Sequence, residues 1–580
     1  MSVRVAAVVL VALAALAPPA WAANPKAPDA TFGSLTDEFI QHTLAREPGL
    51  ATRLGVHEFD AKLYPVTQAT LADDARWLHE FETRVRKVDR KSLSLERGLE
   101  YDLVLSRVHA RLLDLEVIRP YERNPNSYLN LIAGSVQVLL QRDFAGISDR
   151  LRSATARLGQ VPEILRAAKI NLNNPPRIYT EVAIGQYAGA LRFYREVVPR
   201  LASSCTDPDV LAGLAEADSG AVRAVEDFLD FLRQDLLSRS KGDFAIGRDT
   251  YQKKLLYDEM VDTPVESLLA RAQHEIATTH TRMDSLANVI RPGATGKQIL
   301  EEMGRDHPPA DSLVSYVAAL LDRIRDFVRA RDLLTVPEKE DLRVRETPVY
   351  NRSLSFASMD SPGVWEKRAN EAFYNVTPPE ASWDSTRREE HMAFFNRYGA
   401  EITSIHEALP GHYYQFIALR RSPYRLRQML TCGTYTEGWA HYCEQMVLDE
   451  GYGAKDPRYR LAQLSHALQR LCRLVAGISM HTQGMTLDQA TALFREQGYM
   501  TQVNAEREAR RGTSDPTYLV YTVGKWEILA LRDEMKAKQG ANFSLKAFHD
   551  ELLRQGASPL PIVRQAMLAG VTAGTVGAAK

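Results

Sequence analysis

Apolar residues recur at three- and four-residue intervals from Leu35 onward, as in LTDEFIQHTLAREP, TLADDARWLHEFETRVRKV and LERGLEYDLVLSRVHARLLDLEV. That spacing is the 3.6-residue period of amphipathic helices, and it continues through Leu334. Pro and Gly punctuate the segments; Asn-Pro-Pro, for example, closes the helix in ARLGQVPEILRAAKINLNNPP. Only two stretches have strand character. LRVRETPVY from Leu342 alternates apolar and polar residues, and EAFYNVTP from Glu371 is rich in aromatic and β-branched types. The pattern predicts an all-α, mostly helical protein with a small antiparallel β-sheet just before the segment ITSIHEALPGHYYQ.

The ends depart from this pattern. MSVRVAAVVLVALAALAPPAWAANPK has a basic start at Arg4, an apolar run and a small-residue site at Ala20-Trp21-Ala22. This is the layout of a secretory signal peptide over residues 1–22, with a single membrane anchor as the alternative. No Cys follows the site, so lipidation is not indicated. Residues 23–34 are expected to be a disordered lead-in, 35–570 one large helical domain, and the Gly- and Ala-rich 571–580 a flexible tail. The protein is expected to be periplasmic or secreted, without membrane association after cleavage. Among 580 residues, 72 basic and 73 acidic side chains leave a net charge of −1, which provides no field for gathering nucleic acid. Cys205, Cys432, Cys443 and Cys472 are too few for a disulfide framework, although one bridge among the last three fits an exported protein.

The chemistry concentrates in HEALPGH. In a zinc helix of the HExxH type two histidines four residues apart lie about 40° apart around the axis and meet one metal. His406 and His412 are six apart, about 240° around a straight helix. Pro410 removes a donor and presses on the carbonyl of His406, while Gly411 supplies free torsions. A bulge of about two residues there would return His412 to the face of His406. The competing expectation is a helix end at Leu409, a Pro-Gly turn and two unrelated histidines. With the bulge, His406 and His412 are metal ligands, and Glu407 is the general base toward metal-activated water.

Downstream, TYTEGWAHYCEQM puts Glu437, His441 and Glu444 on one helix face. A His, His, Glu set with one open position is a catalytic zinc arrangement. Glu437 is the first candidate for the third ligand and Glu444 its competitor. His441 is a candidate supporting or substrate-binding residue, and Tyr374, on the second predicted strand, a candidate substrate contact.

HEALPGH followed by EGWAHYCE resembles the bacterial domain-of-unknown-function family 885, and the resemblance extends over most of the chain, including IGRDTYQKKL from Ile246. That family looks like a branch of the gluzincin-type metallopeptidases, helical proteins with a deep active-site cleft. The resemblance implies Zn2+ on His406, His412 and Glu437, with Glu407 as base. RLVAGISMHTQGMT places His481 where members commonly keep a histidine, although the Asp often found before it is Gly477 here. DPTYLVYTVGKWEILALR matches a Pro, Tyr, Gly and Arg pattern at Pro516, Tyr521, Gly524 and Arg532, with Thr-Tyr-Leu after the Pro in place of the usual Gly-Gln-Ala. Tyr521 and His481 are candidates to stabilise charge developing on a carbonyl oxygen, and Arg532 to pin a substrate carboxylate. The expected function is that of an exported zinc peptidase acting on short peptides. A non-catalytic periplasmic binding or scaffold protein and a metal-dependent amidase or esterase are the alternatives.

Overall fold

The computed structural model describes residues 27–348, 352, 356–380 and 382–572. The expected signal segment 1–22 and residues 573–580 of the expected tail lie outside them, as do residues 23–26 of the expected lead-in. From Ala27 the lead-in is helical rather than disordered, because Phe32 is buried against Tyr101 and draws the segment into the core.

The principal helices are α1 (Ala27–Arg46), α2 (Leu95–Leu113), α3 (Ile147–Asn171), α4 (Arg177–Arg192), α5 (Pro208–Phe231), α6 (Val265–Ile290) and α7 (Leu313–Ala330). Three short strands follow: β1 (Leu342–Glu346), β2 (Ala357–Asp360) and β3 (Ala372–Val376). The second half contains α8 (Arg397–Glu407), α9 (His412–Arg421), α10 (Gly433–Asp449), α11 (Pro457–Thr482), α12 (Gln502–Ser514) and α13 (Val520–Gln539). The predominance of helix matches the apolar periodicity. α3, α4 and α5 share one apolar core. α1 and α2 build a second, into which Leu426 and Met429 from the second half insert. The largest core runs from Tyr251 to Met567 and holds the candidate site.

The sheet corrects the antiparallel expectation. Its order is β1-β3-β2; the two predicted strands, β1 and β3, pair in parallel, and β2 pairs antiparallel with β3. β2 is only four residues long and has no β-branched or aromatic residue to announce it, and it forms because β3 offers it an unpaired edge. The four cysteines are free thiols in the interior, so no bridge joins Cys432, Cys443 and Cys472.

Candidate metal centre

The Asn396 side chain caps α8 by accepting from the Tyr398 and Gly399 amides. Every residue from Tyr398 to His406 is buried. Glu401 lies in this interior with no solvent exposure, satisfied by Arg323 and by the Tyr452 and Tyr459 hydroxyls. A helix so enclosed delivers His406 and Glu407 to a fixed position.

Between the histidines the chain does not bulge within one helix. α8 stops at Glu407, the Leu409–Pro410 peptide is cis, and His412 opens α9. The turn folds back on the last turn of α8: the Ala408 and Leu409 amides reach Ser404 O, and Gly411 N reaches Ile405 O at 3.0 Å. A Cβ at position 411 would stand 1.9 Å from the carbonyl oxygen of His406, so the approach demands glycine. Trp439 of α10 holds the turn from outside, its indole N–H donating to Pro410 O at 3.0 Å and to Gly411 O at 3.3 Å. The helix end at Glu407 and the Pro-Gly turn after it thus resemble the competing expectation, which put the end at Leu409, yet the histidines converge, with ring centroids 4.9 Å apart.

α10 brings the third group. Glu259, itself buried, accepts at this helix's N-terminus from the Gly433 amide (3.1 Å), the Thr434 amide (2.7 Å) and the Thr434 hydroxyl (2.8 Å). A carboxylate there satisfies otherwise orphaned donors and complements the helix dipole. α10 then crosses α13 at backbone contact: a Cβ on Gly524 would lie 1.8 Å from Thr434 O, and one on Gly438 would lie 2.6 Å from Gly524 Cα. This crossing sets Tyr521 beside Glu437.

Glu437 Oε2 lies 3.5 Å from His406 Nε2 and 3.4 Å from His412 Nε2. One ligand atom from each of the three residues falls within 4.8 Å of the others. Ligands at about 2.05 Å in tetrahedral geometry are about 3.3 Å apart, so the spacing to Glu437 suits zinc. The far sides of both rings are occupied. His406 Nδ1 faces Glu444 Oε1 at 2.7 Å, and His412 Nδ1 faces Gln415 Oε1 at 3.4 Å. With the Nδ1 atoms engaged on the far side, where Arg470 also reaches His406 Nδ1 at 3.2 Å, two imidazole Nε2 atoms and a carboxylate oxygen converge, a donor set that fits a cation. Without a metal the same carboxylates favour a proton: burial and Arg470 lower the pKa of His406, but Glu437 and Glu444 outweigh them and hold it up at about 9. Glu437 is held well below the carboxylate range against its burial by His412 and His406. Glu444, the competitor for third ligand, instead supports His406 from behind, and Arg470 pairs with the same oxygen at 2.8 Å.

Glu407 lines a cavity of about 670 Å³ together with His406, His466, Arg470, Arg473 and Tyr521. Burial raises its pKa, with Glu437 adding to this and the two histidines opposing. Its Oε2 accepts from the Met359 amide at 3.1 Å. Tyr521 lies beneath two guanidiniums, Arg470 at 5.5 Å and Arg473 at 5.0 Å from its ring centroid.

A family model described as "Bacterial protein of unknown function (DUF885)" matches residues 48–567. The chain belongs to DUF885. No curated protein matches this DUF885 chain. It is similar to a solved structure described as "a putative lipoprotein of unknown function" from Shewanella oneidensis, with 27% identity and TM-score 0.79 over 93% of this chain and 99% of that one. A second, "the putative lipoprotein" from Colwellia psychrerythraea, shares the fold at 17% identity and TM-score 0.77, over 94% of this chain and 99% of that one.

Several predicted site residues of the DUF885 chain stand elsewhere. His481 lies 11 residues beyond Arg470 on α11, about 16 Å along the axis. It is buried and bonded to Gly512 O at 2.8 Å, a tie between helices rather than a cavity group. Arg532 is equally far from Tyr521 on α13 and is engaged by Asp533 and the Tyr442 ring. His441 is fully interior against Glu444 at 3.3 Å, and burial holds its pKa well below the usual range, so it supports the site from behind and does not line the cavity. Tyr374 points into the core, its hydroxyl 3.3 Å from Ser404 Oγ, because β3 is the central strand. The sequence reading missed His466, whose pKa burial pushes down to about 4, and Arg470 and Arg473. Two arginines in RLCRLV, on a helix otherwise apolar there, were the available signal.

Proposed function

We propose that this DUF885 protein is an exported zinc-dependent peptidase of gluzincin type that hydrolyses short peptides. The convergence of His406, His412 and Glu437 beside the cavity-facing carboxylate of Glu407 carries the reading. Glu437, 25 residues downstream of His412 on a separate helix, fits the gluzincin plan. Zinc, when bound, polarises the scissile carbonyl and makes water acidic enough to attack near neutral pH.

The protein groups do the rest. Glu407, with one oxygen fixed by the Met359 amide, takes a proton from the attacking water on the other and delivers it to the departing amine. Its raised pKa suits both transfers. Tyr521, bonded to Arg511, offers its hydroxyl proton to the carbonyl oxygen as negative charge develops there. β2 is an edge strand. Phe356 O accepts from Thr377 N, so by alternation Ala357 and Met359 turn their backbone groups away from β3. Met359 uses its amide on Glu407; Ala357, which lines the cavity, has its groups directed to an extended peptide laid alongside. The cavity has the size of a small-ligand site and admits peptides in preference to folded proteins. The exported assignment draws support from the N-terminal sequence and from the descriptions of the two similar structures as lipoproteins. No helix among the described residues is long and apolar enough to cross a membrane.

Zinc analysis and turnover test the proposal together. Glu407→Gln is expected to keep stoichiometric zinc and lose hydrolysis of a peptide library, while His406→Ala and Glu437→Ala lose the metal. Full zinc in both alanine variants, or undiminished turnover by Glu407→Gln, would overturn it.

A further inference from the structure

One wall of the cavity is a face of α12, where Arg507, Arg510 and Arg511 stand at i, i+3 and i+4. Most cationic groups around the cavity have carboxylate partners. Arg470 pairs with Glu444 at 2.8 Å, Arg511 with Asp515 at 3.0 Å, and Arg473 holds Glu508 through two bonds of 2.8 Å. Arg507 and Arg510 have no ion-pair partner among the described residues, and of these the Arg507 guanidinium lies 4.7 Å from the ring centroid of Phe356. The Arg507 side chain is exposed at the cavity surface, open to an incoming anion, and the like charges of Arg473 and Arg511 disfavour a lone cation there, with Glu508 opposing.

The position of Phe356 gives this cation a place in the site. Phe356 immediately precedes β2, and the amide that holds Glu407 belongs to Met359, three residues along the same edge. Three residues of strand span about 10 Å, so a peptide laid on this edge with its scissile bond at Glu407 reaches Arg507 within two or three residues.

Resting on the peptidase reading, we propose that the site selects peptides by a free carboxylate, that of the C-terminus, held by Arg507. The enzyme then releases a C-terminal dipeptide or tripeptide: water adds across the amide, the remaining peptide gains a new carboxylate and the released piece a free amine. The planar fork of Arg507 fits a carboxylate through two parallel bonds.

Isothermal titration of the Glu407→Gln protein as purified, with three otherwise identical hexapeptides, tests this apart from turnover. One peptide has a free C-terminal acid, one a C-terminal amide, and one an amide with Glu as the last residue. The free acid is expected to bind about ten- to a hundredfold more tightly than either amide, the range for a charge-assisted pair. Adding Arg507→Gln should erase this preference, and Arg507→Lys should retain part of it. Equal affinity of acid and amide, or a preference that survives Arg507→Gln, overturns the proposal. Equal binding of the Glu amide and the free acid overturns the C-terminal assignment in favour of an acidic side chain. An Arg507-dependent preference in a protein whose parent hydrolyses no peptide would leave this inference standing and remove the peptidase reading. Parent hydrolysis of acid and amide peptides at equal rates would do the reverse.

Discussion

Replacing Glu444 by Gln keeps the side-chain volume and removes one buried charge. Glu444 has no solvent exposure and meets His406 Nδ1 at 2.7 Å, Arg470 at 2.8 Å and His441 at 3.3 Å. Breaking a buried ion pair from one side costs about 3–5 kcal/mol, because the partner stays behind uncompensated. The glutamine carbonyl still accepts one bond, which places the expected loss near the lower end, about 3 kcal/mol. The proposed metal centre would feel a separate effect. Without the carboxylate behind it, His406 is less basic and less firmly oriented, and carboxylates of this kind are worth about 10–100-fold in metal affinity. That range corresponds to about 1.4–2.7 kcal/mol. Urea unfolding measures the first quantity, and zinc titration against a competing chelator measures the second. Glu437→Gln is the comparison, and it should lose stoichiometric zinc altogether. Zinc affinity in Glu444→Gln within twofold of the parent would refute the orienting role. If Glu444→Gln lost the metal while Glu437→Gln kept it, the two carboxylates would have exchanged roles.

Two further perturbations test the frame around the site. Gly524→Ala sets a methyl group 1.8 Å from Thr434 O and must part α10 from α13, so a loss of about 1–3 kcal/mol in chemical denaturation is expected. Gly185→Ala on α4 meets nothing within 4 Å and should gain about 0.5–1 kcal/mol; equal stability of the two variants would discredit the crossing argument. Glu508 answers to acid: its folded pKa of about 2 lies below the ordinary 4.5, because Arg473 outweighs its burial. A depressed carboxylate stabilises the fold above pH 4.5 and loses that contribution as pH falls toward 2. The carboxylate is only 6% exposed, and the shift amounts to about 3 kcal/mol. Unfolding free energy of Glu508→Gln should therefore vary less across this window than the parent's, and identical pH profiles would count against the pairing.

The helical character, the glycine and proline of HEALPGH and the three residues that converge were legible in the sequence, because periodicity and local steric rules act over a few residues. The mode of convergence was not. A bulge and a helix break both bring His412 round, and the choice depends on Trp439, which holds Pro410 and Gly411 from another helix. The same limit explains the misplaced residues. His481 and Arg532 sit on helices that do reach the site, but about 16 Å too far along them, a distance set by where each helix crosses its neighbours. β2 escaped notice because ASMD, though it alternates, is only four residues long, has no β-branched or aromatic residue and owes its strand form to β3. Glu437 and Glu444 share one face of α10, so sequence alone left both as candidate ligands. Packing separates them. The Gly438–Gly524 contact fixes the rotation and depth of α10, turning Glu437 to the imidazole Nε2 atoms and Glu444 to the ring behind them. The sequence determined which groups were present and which local conformations they favoured; the tertiary structure decided which atom faces which, because that depends on contacts between segments distant along the chain.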